Sequence, residues 1–181
     1  MKIRPAQRSD IAGILEIYND AVINTTATYD YEPRSLQHRI EWFEDHQKSG
    51  LPIFVAEDTE GRVVGWSSLS AFHDRKGYQF TVQNAVYVAA HARGRGVGKL
   101  LMEPLIDSAK KIGLRAIIAV IDAQNEPSIK LHARFGFFEV GRFQKVGFKF
   151  GRWLDVVYME LLLPEPAATK TISQSPTATN S

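Results

Sequence analysis

The stretch from Val86 to Leu101 constrains this chain most. Val86-Tyr87-Val88 closes a β-branched run, a short polar link follows, and Arg93-Gly94-Arg95-Gly96-Val97-Gly98-Lys99-Leu100-Leu101 opens an apolar helix. Glycines at alternate positions leave backbone N–H groups uncovered by side chains. At the start of a helix those unpaired donors and the dipole favour an anion, so the unit reads as a phosphate cradle. A turn that merely caps a helix would use similar residues. Two kinds of cradle are excluded outright. A nucleotide-triphosphate loop needs Gly-x-x-x-x-Gly-Lys-Ser/Thr, but Arg93 stands first and Leu100 follows Lys99, so no hydroxyl is placed for magnesium. A dinucleotide loop needs Gly-x-Gly-x-x-Gly, and here Gly98 comes one residue early.

What remains is Arg93-x-x-Gly96-x-Gly98, which resembles the pyrophosphate loop of the GNAT superfamily of N-acetyltransferases. A second block, Asn125-Glu126-Pro127-Ser128-Ile129-Lys130-Leu131-His132-Ala133-Arg134-Phe135-Gly136-Phe137, resembles the other superfamily signature. Its physics fits a short helix: Pro127 suits the first turn, Ile129, Leu131 and Phe135 supply apolar surface, and Gly136 suits the position after the end. Within the superfamily, the run Ile14 to Val22, the strand Thr81 to Val88 and the string Val146-Gly147-Phe148-Lys149-Phe150-Gly151-Arg152-Trp153-Leu154-Asp155 resemble the phosphinothricin and methionine sulfoximine acetyltransferases. The resemblance covers residues 1–163 and implies an α/β (α+β) GNAT fold. That fold is a mixed, mostly antiparallel twisted sheet, split near the cofactor strand and flanked by helices.

The rest of the chain agrees with one domain. It has 181 residues, 22 Lys and Arg against 20 Asp and Glu, and no cysteine. The near balance of charge does not suggest a nucleic-acid binder, and the lack of cysteine excludes disulfides, thiolate metal sites and a cysteine nucleophile. No metal site is expected. No apolar run reaches membrane length and Met1-Lys2-Ile3-Arg4-Pro5 lacks the core of a signal peptide, so a cytoplasmic protein is expected. Periodicity predicts a helix from Ser9 or Asp10 through Val22, a loop over Thr25 to Arg34, and a helix after Ser35. It then predicts a hairpin of Ile53 to Glu57 with Val63 to Ser70, a strand from Gln79 to Val88, and a helix from Leu100 to Ile112. A buried strand over Ala116 to Ile121 and a strand pair, Phe138 to Phe148 and Leu154 to Leu163, complete the domain. Pro104 falls inside the helix after the cradle, where a kink is expected. Residues 164–181, rich in Pro, Ala, Thr and Ser, are expected to form a disordered tail.

The resemblance implies acetyl-CoA as cofactor and direct transfer to an amine. It assigns the pantetheine arm to Val86, Tyr87 and Val88, with the Val88 N–H polarising the thioester carbonyl. It assigns the pyrophosphate to Arg93, Gly94, Arg95, Gly96, Val97, Gly98 and Lys99, and further cofactor contacts to Asn125 and Ser128. His132 stands where the family protonates the departing sulfur. Gln83 stands where relatives usually carry Glu as base, and an amide cannot take a proton. Three readings stay open. Gln83 positions a water that passes the proton to solvent or to His73 or Asp74, or the substrate arrives as free amine, or the activity is weak or aimed elsewhere. Substrate contacts are expected from Arg75, Asn84 and Ala85 beside Gln83, with Lys149 and Arg152 facing substrate or a partner subunit. Phe143, Phe148, Phe150 and Trp153 suit either core or the two-fold interface of a homodimer. The expected activity is N-acetylation of a small amino acid or analogue. The rival is an acyl-CoA-binding module that has lost its base.

Overall fold

The computed structural model describes residues 1–165, so the expected tail falls, but for its first two residues, outside the described part. Seven strands form one sheet. In chain order they are β1 (Lys2–Pro5), β2 (Ile53–Glu57), β3 (Val63–Ala71), β4 (Thr81–Val88), β5 (Ala116–Asp122), β6 (Phe138–Lys149) and β7 (Arg152–Leu162). Their spatial order is β1-β2-β3-β4-β5-β7-β6, and every neighbouring pair is antiparallel except β4 with β5. Four helices, α1 (Ile11–Asn24), α2 (Leu36–Ser49), α3 (Val97–Lys111) and α4 (Glu126–Arg134), cover the two faces.

The helices divide by what the strands offer them. Ile11, Ile14 and Ile17 of α1 and Phe43 of α2 are buried with Val55, Val64 and Trp66. Trp66 stacks on Tyr87 at 4.7 Å between ring centroids and meets Tyr18 of α1 at 6.3 Å. Arg39 of α2 is buried with its guanidinium 4.3 Å from the centre of the Tyr18 ring and 4.7 Å from that of Trp42. On the opposite face α3 packs so close to Gly65 that an added Cβ would stand 3.0 Å from Val97 and 3.1 Å from Leu101. Leu101, Met102 and Leu105 are completely buried there. Each such side chain is worth about 1.5–3 kcal/mol of transfer free energy, which holds the cradle helix against β3 and β4.

Local signals explain the boundaries. Ser35 caps α2 by accepting from the His38 N–H, and Asn125 caps α4 by accepting from the Ser128 N–H, with Pro127 in the first turn. The expected cap on α1 differs. Neither Ser9 nor Asp10 caps it through its side chain; the Asp10 carboxylate instead accepts from the Gln7 N–H and the Arg4 guanidinium. Helix α3 starts at Val97, not Leu100, because Gly96 takes a left-handed conformation and serves as its cap. It continues through Pro104 as one helix. Strand β4 begins at Thr81 rather than Gln79 because Lys76 to Tyr78 form a short 3-10 turn.

The parallel ladder between β4 and β5 is short. It joins Thr81, Val82 and Gln83 to Ala116, Ile117 and Ile118, and beyond it the two strands part. Two cavities lie along that opening.

Candidate active site

Strand alternation decides which backbone groups face the opening. The Ala89 N–H donates to the Val64 carbonyl and the Thr81 carbonyl accepts from the Phe72 N–H, so odd-numbered residues of this stretch bond to β3. In an antiparallel ladder the intervening residues point the other way. Asn84, Val86 and Val88 therefore turn their N–H and C=O groups to the empty side, beyond the last residue paired with β5. The Val88 carbonyl is already taken by Arg93 Nε at 3.1 Å, and its N–H is left for a ligand. An extended polar chain would fit here as a substitute strand.

The groove beside this edge has a volume of about 1120 Å³. Its walls include Val86, Tyr87 and Val88, the turn Arg93 to Lys99 apart from Arg95, and Asn125 and Ser128. Gly94 and Gly96 have φ of +74° and +79°, and a Cβ on either would meet nothing within 4 Å, so the space over their peptide groups is open. Positive φ and unfilled space together make a concave set of backbone donors at the start of α3, the geometry that holds phosphate. Gly98 serves packing instead, since its Cβ would stand 3.0 Å from Leu131 of α4. Lys99, Lys130, Arg134 and Arg152 add positive charge round the groove. Asn125 spends its side-chain oxygen on the Ser128 N–H, which turns its amide Nδ2 into a donor for the groove. These residues fit a pyrophosphate followed by an amide-bearing arm, which is the shape of coenzyme A.

A second cavity of about 290 Å³ opens from the groove where β4 and β5 part. The two share Thr26, Ala27, Val86, Tyr87, Asn125 and Ser128. Gln83, Asn84, Ala85, Asp122, His132 and Tyr29 line the smaller space. The His132 Nδ1 lies 2.8 Å from the Ser128 carbonyl oxygen, which can only accept, so the proton sits on Nδ1. Burial pushes the ring below the ordinary histidine range, with the Ser128 carbonyl opposing, so at neutral pH Nε2 carries a lone pair. Asn84 donates its Nδ2–H to that lone pair at 2.9 Å. The one proton of the neutral ring is held on Nδ1 by the Ser128 carbonyl, so Nε2 has none to hand to a departing sulfur, which the expected acid role requires. What it does is fix the Asn84 amide, whose Oδ1 is buried without a partner. The Tyr29 hydroxyl and Asp122 Oδ2 are also buried and unpartnered. Tyr29 is pushed up to about 12 by burial, with Asp122 and Asp155 adding to it, so it stays a neutral phenol.

Several expected site residues lie elsewhere. Arg75 is exposed on the loop before β4 and lines neither cavity, as do His73 and Asp74, so the proton paths through them lack support. Arg95 does not line the groove that its neighbours form. Lys149 is 1 % exposed and faces no cavity; its Nζ donates to the carbonyls of Thr25 and Thr28 at 2.8 and 2.7 Å. It therefore anchors the loop that walls both cavities. Arg152 does reach the groove, donating to Gln124 Oε1 at 2.6 Å. Sequence reasoning passed over Tyr29 and Asp122. Tyr29 sits in a loop without periodicity, whereas Asp122, just before the Asn125 signature, had a legible position.

The fold and the two adjoining cavities define an acyl-CoA-dependent N-acetyltransferase, and the chain belongs to the acetyltransferase (GNAT) family, whose model matches residues 13–137. It is 44% identical over 161 residues to the L-methionine sulfoximine/L-methionine sulfone acetyltransferase of Pseudomonas aeruginosa, a match covering 89% of this chain and 94% of that protein. It is 39% identical over 165 residues to the L-amino acid N-acyltransferase MnaT of Escherichia coli, covering 91% and 95%. Among solved structures, a GNAT superfamily phosphinothricin acetyltransferase from Sinorhizobium meliloti in complex with AcCoA superposes with a TM-score of 0.90 at 38% identity, covering 97% of this chain and 95% of that one.

Proposed function

We propose that this enzyme moves the acetyl group of acetyl-CoA to the amino group of a small amino acid of the methionine sulfoximine, methionine sulfone or phosphinothricin type, by direct transfer with both substrates bound. The observation that carries this reading is the junction of the two cavities, which brings an amine from the smaller one against an acyl group held along β4. Acetyl-CoA supplies an activated acyl carbon when bound. Arg93, the glycine turn and Lys99 hold its pyrophosphate, while Val86 and Asn125 hold the arm. The Val88 N–H polarises the acyl oxygen, and preorganised donors of this kind lower a barrier by about 3–4 kcal/mol. Gln83, Asn84 and Ala85 line the acceptor's pocket, and Arg152, which lines the adjoining groove and donates to Gln124 through one nitrogen, has further guanidinium donors for a carboxylate or oxidised sulfur or phosphorus group. His132 keeps Asn84 oriented and gives up a proton only after its own ring has gained one.

The enzyme is taken as a cytoplasmic homodimer. Phe143, Phe148, Phe150 and Trp153 are all exposed on β6, β7 and the turn between them, an apolar patch of the kind a second copy covers. Among the described residues no helix is long and apolar enough to cross a membrane.

The test is release of coenzyme A thiol in the presence of L-methionine sulfoximine, L-methionine sulfone and L-phosphinothricin. Turnover with at least one supports the reading. Tight acetyl-CoA binding without thiol release from any of them would replace it with an acyl-CoA-binding module.

A further inference from the structure

An acceptor that arrives as an ammonium ion must lose a proton before its nitrogen can attack, and Gln83 has no site for one. Another residue lining the cavity has such a site. Asp122 ends β5 and is 5% exposed. Its Oδ1 accepts the Gln124 N–H at 2.7 Å, which closes the turn into α4, while Oδ2 has no hydrogen-bond partner among the described residues. Leaving a buried acceptor unmet costs about 1–3 kcal/mol, and more for a charged one. Such a group is expected to meet a ligand.

Register sets Asp122 on the same face of the sheet as Gln83, four residues beyond Ile118 on β5. Gln83 pairs with Ile118, so the two share a face of the sheet, and Val120 and Asp122 follow Ile118 on that face at the strand period of two. Gln83 and Asp122 thus line the same cavity from the two parted strands, together with Thr28 and Tyr29. Among the described residues no cationic side chain meets Asp122 Oδ2. Tyr29 is a phenol whose hydroxyl is itself unpartnered, and His132 lies across the cavity as a neutral ring. Asp155 of β7, a second carboxylate, accepts the Lys145 N–H through Oδ1, and the Arg152 guanidinium donates to Gln124 rather than to Asp122. From β4 the cavity is lined by Gln83, Asn84, Ala85, Val86 and Tyr87, none of them cationic, and burial pushes the Tyr87 phenol up so that it stays neutral. The missing partner is a small cation that donates hydrogen bonds.

We propose that Asp122 binds the ammonium group of the acceptor and takes its proton, supplying the base that Gln83 does not. This rests on the amino-acid acceptor reading above. One ammonium proton passes to Asp122 Oδ2 and the freed lone pair attacks the thioester carbon. The N–C bond forms and the C–S bond breaks. The second proton of that nitrogen ends on the leaving thiolate, and Asp122 returns its own to solvent. Oxidation states do not change, and the products are the N-acetyl amino acid, coenzyme A thiol and one proton.

Asp122→Asn keeps the oxygen that closes the turn and removes only the charge. With methionine sulfone as acceptor, kcat/KM at pH 7 should fall about 10²–10³-fold, the range of a lost general base, while the Kd for acetyl-CoA, measured by calorimetry, stays within about twofold. The variant should depend on free amine, so its kcat/KM rises tenfold per pH unit up to the amine's own pKa, whereas the unmodified enzyme levels off earlier. Gln83→Glu added to Asp122→Asn should restore at least tenfold at pH 7. A wild-type rate and pH profile in Asp122→Asn overturns the proposal. So does a tenfold or larger gain from Gln83→Glu alone, a variant independent of how Asp122→Asn folds, because that gain means the native site lacks a base. If the unmodified enzyme turns over none of the amino acids, the acceptor reading falls and takes this proposal with it. Turnover by the unmodified enzyme with an indifferent Asp122→Asn removes this proposal alone.

Discussion

Replacing Lys149 with Met should loosen the active-site loop from behind. The Lys149 ammonium donates to two carbonyls, of Thr25 and Thr28, more than 120 residues away in sequence. Methionine matches the length of the buried stem but leaves both carbonyls without a donor. Hydrogen bonds to a charged group contribute about 1.5–3 kcal/mol each, so two represent about 3–6 kcal/mol gross. Against this stands the relief of no longer desolvating an ammonium, itself several kcal/mol before its hydrogen bonds are counted. The net expectation is a loss of about 2 kcal/mol. For a domain of this size each kcal/mol moves Tm by about 2–4 °C, so calorimetry should show a fall of about 4–8 °C. The functional effect is more diagnostic. Thr26 and Ala27 wall both cavities, so the KM for acetyl-CoA and for the acceptor should rise together by about tenfold, equivalent to about 1.4 kcal/mol of loop ordering. An unchanged Tm with both KM values intact would refute the anchoring argument. A rise in the acceptor KM alone would instead return Lys149 to a direct substrate contact.

Two further outcomes are expected. Val88→Pro deletes the N–H that faces the opening while sparing the ladder to β3, so kcat should fall about 10²–10³-fold with Tm little changed; a kcat within threefold of the original means another group polarises the carbonyl. Burial lowers both His46 and His132, so below about pH 6.5 the unfolded chain binds protons that the folded one refuses. Denaturant-derived stability should therefore fall as pH drops from 6.5 towards the lowered folded-state values and level off beneath them, and Gln at both positions should flatten that interval.

How much of this was legible depended on range. Strands and helices were set by local periodicity, and both signatures announced their turns because Gly96, Pro127 and Asn125 act on their immediate neighbours. The direction of each β4 peptide group was one step removed: it follows from pairing with β3, and a shift of one residue would reverse it. The fate of Lys149 was not legible, since a lysine in an aromatic string reads as surface until Thr25 and Thr28 are brought beneath it. Arg75 misled for the converse reason, being close to β4 in sequence but carried away by the turn at Lys76 to Tyr78. The His132 ring was read as an acid from its place in a motif, whereas its protonation is decided by the Ser128 carbonyl and by burial.

The short β4–β5 ladder has a consequence for the life of the protein as well as its chemistry. Among the described residues the ladder between β4 and β5 has three register pairs, extended by the Arg115 and Ala116 N–H groups on the Phe80 carbonyl, and a coenzyme lying along β4 would add to that seam. Cofactor occupancy then adds to thermal endurance. At a hundredfold excess over Kd the ligand adds about 2.7 kcal/mol to the folded state. A cell rich in acetyl-CoA would hold the enzyme shut against unfolding and proteolysis, and a starved one would let it open along that seam, so that supply of the donor governs how much enzyme survives to use it.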